Sequence, residues 1–357
     1  GSDDATGATR GAPLRTIQAA VDRAEPGTTI TLLPGWYEGG TRLKPGEPGR
    51  PITLRGERRG RVFIGQRVAG IVGWERAPKF QYTYAAHVAD TPRALIEAST
   101  GRQLRPMASV LDVEYLAGTF HHDPSAGTLY VHPSDSETAL RHLYAALPTE
   151  GTGVILANHT IVEGIVFTGM GNAAVQGNNP TGATVRHCIA YRNGYAVELR
   201  GGTDCLISGN HFWANVPMYA AGSQIYVSAT PARGASAQVR GIVIEDNRVY
   251  GSPKSAIRFY GTGPVDHCVM RGNLMRGSYS KMRGRGGLTG TRNVSLGSFW
   301  AHDGGHNTYR GNPHPQYKAD TDLLSHARDW RFVDPAYFDY RLQADSPARG
   351  AAPDGSD

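Results

Sequence analysis

Glu198, Arg200, Tyr226, Lys254, Arg258 and Tyr260, with His302 on a later loop, are the residues whose types can do chemistry together. They suit removal of a proton beside a carboxylate. A planar arginine fork neutralises the carboxylate. A Lys, Tyr or His of lowered pKa takes the proton, and a tyrosine can protonate the departing oxygen. Lys254 lies at the turn entering the Arg258 strand, where cationic neighbours would depress its pKa. Hydrolysis of a glycosidic bond asks for two carboxyl groups at a fixed separation. Glu198 is the one acid of the set, and a partner would have to come from Asp303, Asp204 or Asp266. Elimination beside a carboxylate therefore fits these residues better than hydrolysis. Epimerisation shares the proton abstraction and stays open.

Their placement follows from short strands that recur along the chain: AAVQGN (173–178), AVELRG (196–201), QIYVSA (224–229), AIRFYG (256–261) and NVSLGS (293–298). Side chains alternate between the two faces of a strand. Val175, Val197, Leu199, Ile225, Val227, Ile257 and Phe259 are expected inward. Gln176, Glu198, Tyr226, Arg258 and Ser295 then form one outward column, and Asn178, Arg200, Ser228, Tyr260 and Gly297 its neighbour. Insertions at Val216–Gln238 and Arg276–His306 flank this face, and long loops on a rigid scaffold are where binding sites are built. Substrate contacts are expected from Gln176, Asn178, Asp303, His306 and a basic loop with Lys281, Arg283 and Arg285. Each type also has a bland reading. The arginines can be surface ion-pair partners, the tyrosines packing rings, and Lys254, His302, His306 and the basic loop ordinary solvated groups.

What positions the strands is a repeat. Aligning VEGIVF, RHCIAY, SGNHFW, EDNRVY, RGNLMR and RGNPHP puts Gly164, Cys188, Asn210, Asn247, Asn273 and Asn312 at one turn, with spacings of 24, 22, 37, 26 and 39. Like residues stacked on like are the mark of a solenoid, and asparagines so stacked can bond each other and the turn backbone. Cys205, Ile242 and Cys268 precede their asparagines by the same interval and are expected in one buried column. LRTIQAAVDRA (14–24) has Leu14, Ile17 and Val21 on one helical face and reads as a helix capping the open end. Residues 74–148 break the rhythm. Their segment HHDPSAGTLYVHPSD (121–135), with a turn at Asp123–Gly127, reads as a hairpin in an inserted β-subdomain, and His121 and His122 as structural parts of it. The fold class is thus all-β, a parallel β-helix solenoid with a capping helix and an insertion. It forms one domain over 10–350, between a tag or disordered start (1–9) and a tail (351–357).

The net charge of +6 favours an acidic partner, or serves solubility alone. RGRGG (283–287) has a nucleic-acid flavour, but no nucleic-acid fold pattern accompanies it, so no such partner is expected. No apolar run is long enough to span a membrane. Gly1-Ser2 reads as a cloning remnant with no signal peptide after it. Three cysteines, widely spaced, make neither a disulfide framework nor a metal site. Calcium, on Glu198 and a loop aspartate, is the one cofactor left open. Oligomeric state is not legible.

The stretches LRTIQAAVDRAEPGTTITLLPGWYEG, HDPSAGTLYVHPSD, the coils above and VDPAYFDYRLQADSPARGAAP resemble the pectate-lyase-like right-handed parallel β-helix superfamily, and most of all the secreted β-helix proteins of bacterial polysaccharide use. That resemblance spans roughly residues 10–350. It implies a secreted or periplasmic protein with a polysaccharide or oligosaccharide in a groove along the strand face. Lyases, glycoside hydrolases, uronate epimerases and non-catalytic phage or adhesin parts all share the fold, which does not choose among them. The sequence has no close match to the acidic calcium cluster of pectate lyases or the aspartate set of polygalacturonases. AHDGGH (301–306) is only a loose echo of the alginate-epimerase motif.

Overall fold

The computed structural model describes residues 1–66, 70–92, 94–97, 102–142, 144–147, 150–213, 215, 223–229, 238–250, 255–260, 263–276, 279–282, 285–291, 294–296, 323–324, 332–334 and 339–342. Three parallel sheets run the length of the repeat, visited in turn by each coil. The first contains Thr29–Leu32, Ile52–Gly56, Thr160–Glu163, Thr184–Arg186, Leu206–Ser208, Val243–Glu245 and Pro264–Arg271. The second contains Gly35–Tyr37, Val62–Gly65, Val166–Thr168, Ile189–Tyr191, His211–Trp213, Arg248–Tyr250, Leu274–Arg276 and Val294–Leu296. The third, the site face, contains Thr41–Arg42, Thr152–Leu156, Ala173–Asn178, Tyr195–Arg200, Ser223–Ser228, Ser255–Tyr260 and Tyr279–Met282. This is a parallel β-helix. Its bore is filled by one cluster of Ile, Val, Leu and Phe side chains that includes all seven residues expected inward.

The corner between the first and second sheets explains the regular spacing. Asn210 Nδ2 donates to Asn247 Oδ1 and Asn247 Nδ2 to Asn273 Oδ1, each at 2.9 Å. Each acceptor also takes the backbone N–H of the preceding asparagine at 3.1 Å. Buried backbone groups at a turn need partners, and the side-chain ladder supplies them. The residue before each asparagine adopts positive φ, and there a residue with a side chain lies over a glycine of the next coil. His187 (φ 54°) covers Gly209 (φ 62°), where a Cβ would stand 2.7 Å from His187 Nδ1. Glycine at 209 satisfies both the dihedral and the contact.

Two rungs of the expected ladder are corrected. Val166 pairs with Ile189, so Cys188 stacks on Ile165 and not on Gly164, which lies in the positive-φ column. Leu274 pairs with Val294, so the strand of the next coil on this sheet is Val294–Leu296, ahead of Asn312. Asn312 lies outside the described residues. Cys205, Ile242 and Cys268 do share a column, through the pairs Leu206–Val243 and Val243–Val269. All three cysteines are free and buried, and burial pushes the thiols up, Cys188 to about 12 and the others to about 11.

The capping helix runs from Ile17 to Arg23, capped by Thr16, with Ile17 and Val21 buried in the bore and Leu14 outside it. The opening residues meet the start of this helix. Asp3 accepts from the Arg15 and Thr16 N–H groups at 2.9 and 2.8 Å. The insertion leaves after the Val62–Gly65 strand and returns at Thr152–Leu156. Between them lie a four-stranded and a five-stranded sheet with a separate core of Trp74, Tyr84, Leu95, Phe120, Leu129 and Tyr144. The expected hairpin pairs Thr119–Asp123 with Thr128–His132. His121 and His122 hydrogen-bond the Met107 and Val88 carbonyls within it. A short helix, Val110–Tyr115, has no counterpart in the sequence reading.

Candidate functional site

The register of the third sheet aligns Gln176, Glu198, Tyr226 and Arg258 as Cα partners, and aligns Asn178, Arg200, Ser228 and Tyr260 beside them. Both columns match the expected ones over these four strands. They diverge at the fifth. Arg258 pairs with Lys281 of Tyr279–Met282, so Lys281 and not Ser295 continues the column. Ser295 pairs with Met275 in the second sheet. Arg285, expected on a basic loop beside Lys281, begins a strand of the first sheet opposite Pro264. Lys281 and Arg285 thus belong to strands of two different sheets. Lys254, Arg283, Gly297, His302, Asp303 and His306 lie outside the described residues.

Glu198 is 4% exposed, and its carboxylate is fully engaged. Gln176 Nε2 donates to Oε2 at 2.7 Å, and Arg200 donates to Oε1 and Oε2 at 3.0 and 3.2 Å. The Arg200 fork thus makes the two-point contact that suits a carboxylate. A cation on Glu198 would have to displace these donors, and no group of three or more His, Cys, Asp or Glu among the described residues is arranged to hold a metal. Asp204 and Asp266, the described candidates for a second acid, belong to the first sheet and its turn. Asp266 there faces His267 at 2.7 Å and Arg240 at 3.9 Å.

Beyond Glu198 the column turns aromatic and cationic. Tyr226 lies between the rings of Tyr195 and Tyr260, at 5.4 and 6.2 Å. The Arg258 guanidinium sits over the Tyr260 ring at 4.5 Å and is 7% exposed. A desolvated cation over a ring is held more strongly than an exposed one. The Tyr226 hydroxyl is pushed above its ordinary pKa, chiefly by burial. A hydrogen bond with Ser228 and the charge of Arg258 pull it down, and Tyr260 and Glu198 add to the rise. Tyr226 therefore keeps its proton at neutral pH, as a donor must. Asn178 and Arg200 are exposed at the edge of the same face.

Tyr195 was not in the expected set. Strict alternation points it inward, yet it stacks on the outward Tyr226. The strand bends at its start, where Ala174, Ala196 and Ala256 pack into the core. That column of alanines was the available signal. A second ladder was also missed. Asn193 Nδ2 donates to Asn215 Oδ1 at 2.9 Å, and Asn215 Nδ2 to Gln224 Oε1 at 2.5 Å. It fixes the corner between the second and third sheets and ends two residues before Tyr226.

Residues 146–312 match the family described as right handed beta helix region. No curated protein matches the chain. Among solved structures, the chain is similar to XylC in complex with xylose, at 13% identity and a TM-score of 0.49 over 84% of this chain and 65% of that one. A glycoside hydrolase gives 13% and 0.44 over 85% and 93%, and a rhamnogalacturonan lyase 12% and 0.44 over 93% and 88%. The chain thus spans about two thirds of the XylC chain and most of the other two. No described helix is long and apolar enough to cross a membrane. On its sheet topology the chain folds as a parallel β-helix, and the stretch that matches the right handed beta helix region, residues 146–312, lies within it.

Proposed function

We propose that the protein is a polysaccharide-degrading enzyme that cleaves uronate-containing chains by β-elimination on the third-sheet face, acting outside the cell or in the periplasm. The observation that carries this reading is the column Gln176–Glu198–Tyr226–Arg258, in register over four strands and followed, after a register shift, by Lys281. Its one carboxylate is already neutralised by Gln176 and Arg200, and the rest of the column is aromatic or cationic. Arg258 faces the substrate carboxylate and stabilises the charge that spreads onto it when the neighbouring proton leaves. Lys254 takes the C5 proton. The electron pair forms the C4–C5 double bond, the C4–oxygen bond breaks, and Tyr226 protonates the departing oxygen. A hydrolase would need a free pair of carboxyl groups, and Glu198 supplies half of one at most.

The test is incubation with polygalacturonate and alginate, followed by ultraviolet absorbance of the unsaturated product end. Absorbance should grow with wild type. Tyr226→Phe should lower turnover by about 10²–10⁴-fold, the range of a lost general acid, with little change in KM. New reducing ends without absorbance would replace this reading with hydrolysis. Binding without either product would make the face a glycan-binding surface.

A further inference from the structure

Tyr82 belongs to the inserted subdomain and is held by three partners, His132, Gln81 and Glu114. Its ring stacks on His132 at 5.1 Å with the planes 4° apart. His132 is itself buried, its Nδ1–H donating to the Val113 carbonyl at 2.9 Å and its Nε2 meeting Ser136 Oγ at 3.1 Å. Gln81 Nε2 donates to the Tyr82 hydroxyl at 3.1 Å. The Gln81 and Tyr82 N–H groups donate to the Glu114 carboxylate at 2.8 and 3.1 Å, and the Thr83 hydroxyl joins them at 2.7 Å.

Despite this, Tyr82 is 38% exposed. Ordering a side chain costs conformational entropy whether or not the ring is covered. A ring ordered in advance and left open to solvent has met that cost before a ligand arrives. The neighbouring group is cationic. Arg76 donates to the Gln81 carbonyl and, at 3.0 Å, to the Tyr84 hydroxyl, and among the described residues no carboxylate pairs with it.

We infer that Tyr82 with Arg76 and Gln81 is a second glycan-binding site, on the insertion, that stacks a pyranose ring on Tyr82 and sets its carboxylate against Arg76. The fixed open ring stands on its own geometry. The choice of an acidic sugar rests on the reading of the third-sheet face. The site has none of the third-sheet column's groups and would hold a polysaccharide without cleaving it.

Electrophoresis of the full chain through gels cast with polygalacturonate, alginate or neutral dextran tests this. Wild type should be retarded by an acidic glycan. Tyr82→Ala should bind about tenfold more weakly, the size of one lost aromatic stack, while turnover of short soluble oligosaccharides stays unchanged. Tyr82→Trp should retain binding, and its fluorescence should respond to the glycan, which covers the case in which the alanine variant folds poorly. Arg76→Gln should lose the preference for acidic glycan over dextran. Equal retardation of wild type and a folded Tyr82→Ala overturns this inference alone. So does a Tyr82-dependent self-association with no glycan response. Failure of wild type to be retarded by either acidic glycan overturns both this site and the acidic-substrate reading.

Discussion

The first and third sheets carry charged outward columns on the same backbone, and the columns behave differently. On the first sheet Arg55, Glu163, Arg186, Ser208, Glu245 and Arg271 fall in register. Glu163 accepts from both Arg55 and Arg186, and Glu245 accepts from Arg271 at 2.7 Å. Opposite charges stand next to each other on either side of the neutral Ser208, in the sets Arg55–Glu163–Arg186 and Glu245–Arg271. On the third sheet Glu198 is met in this way by Gln176 and Arg200. The column then continues through Tyr226 and Arg258 to Lys281 without another acid. A β-helix gives every outward residue the same spacing to its neighbours, about 4.8 Å. Whether a column holds the fold together or offers itself to a ligand is decided by whether neighbouring side chains cancel.

The largest effect should come from breaking the third-sheet column. Arg258→Ala should cut turnover on polygalacturonate or alginate by about 10²–10³-fold, the range for loss of one preorganised charge-stabilising donor. Arg55→Ala, which removes a cation of the same kind from the first sheet, should leave turnover unchanged. Initial rates by ultraviolet absorbance check both. Equal losses in the two variants would remove the distinction between the faces.

The ladder at the corner between the first and second sheets comes next. Asn247 accepts two hydrogen bonds from Asn210 and donates to Asn273 Oδ1 and to the Ile207 carbonyl. Asn247→Ala leaves buried donors and acceptors unpaired on both sides. A loss of about 2–3 kcal/mol is expected, from the cost of one or two unsatisfied buried groups. Urea denaturation should show it as a lower midpoint.

Much of this difference was legible in the sequence, and the misses have physical causes. Alternation located Glu198, Tyr226 and Arg258 because the strands Tyr195–Arg200, Ser223–Ser228 and Ser255–Tyr260 are flanked by unmistakably apolar inward residues such as Val197, Val227 and Phe259. The method failed where the strand bends, at Tyr195, and where coil length changes, at Ser295. A spacing shared by Asn210, Asn247 and Asn273 reveals a ladder. Asn193 and Asn215 were hidden because their ladder passes to a glutamine, Gln224, which no repeat of asparagines would expose. At Gly164 the alignment slipped by one residue because a glycine at positive φ and a ladder residue are neighbours, and both are small. Tyr82 was not legible at all, since its contacts come from Glu114 and His132, distant in sequence.

The smallest effect concerns how cancellation works on the first sheet. Burial alone would raise the Glu163 pKa, but hydrogen bonds from Arg55 and Arg186 and their charges outweigh it and hold the carboxyl below the ordinary glutamate range. A carboxyl depressed in the folded state contributes stability above its unfolded pKa, and that contribution disappears as pH falls through the folded pKa. Glu163→Gln should therefore be less stable than wild type at neutral pH, by about 1 kcal/mol or less because both arginines are solvent-exposed. Below pH 4.5, the ordinary value for a glutamate, the two urea midpoints should converge. High salt should narrow the gap at neutral pH as well, by screening the exposed arginines. A gap that stayed constant into acid would mean that Glu163 acts through its shape and neutral hydrogen bonds, and the first-sheet column would no longer be a ladder of cancelled charges.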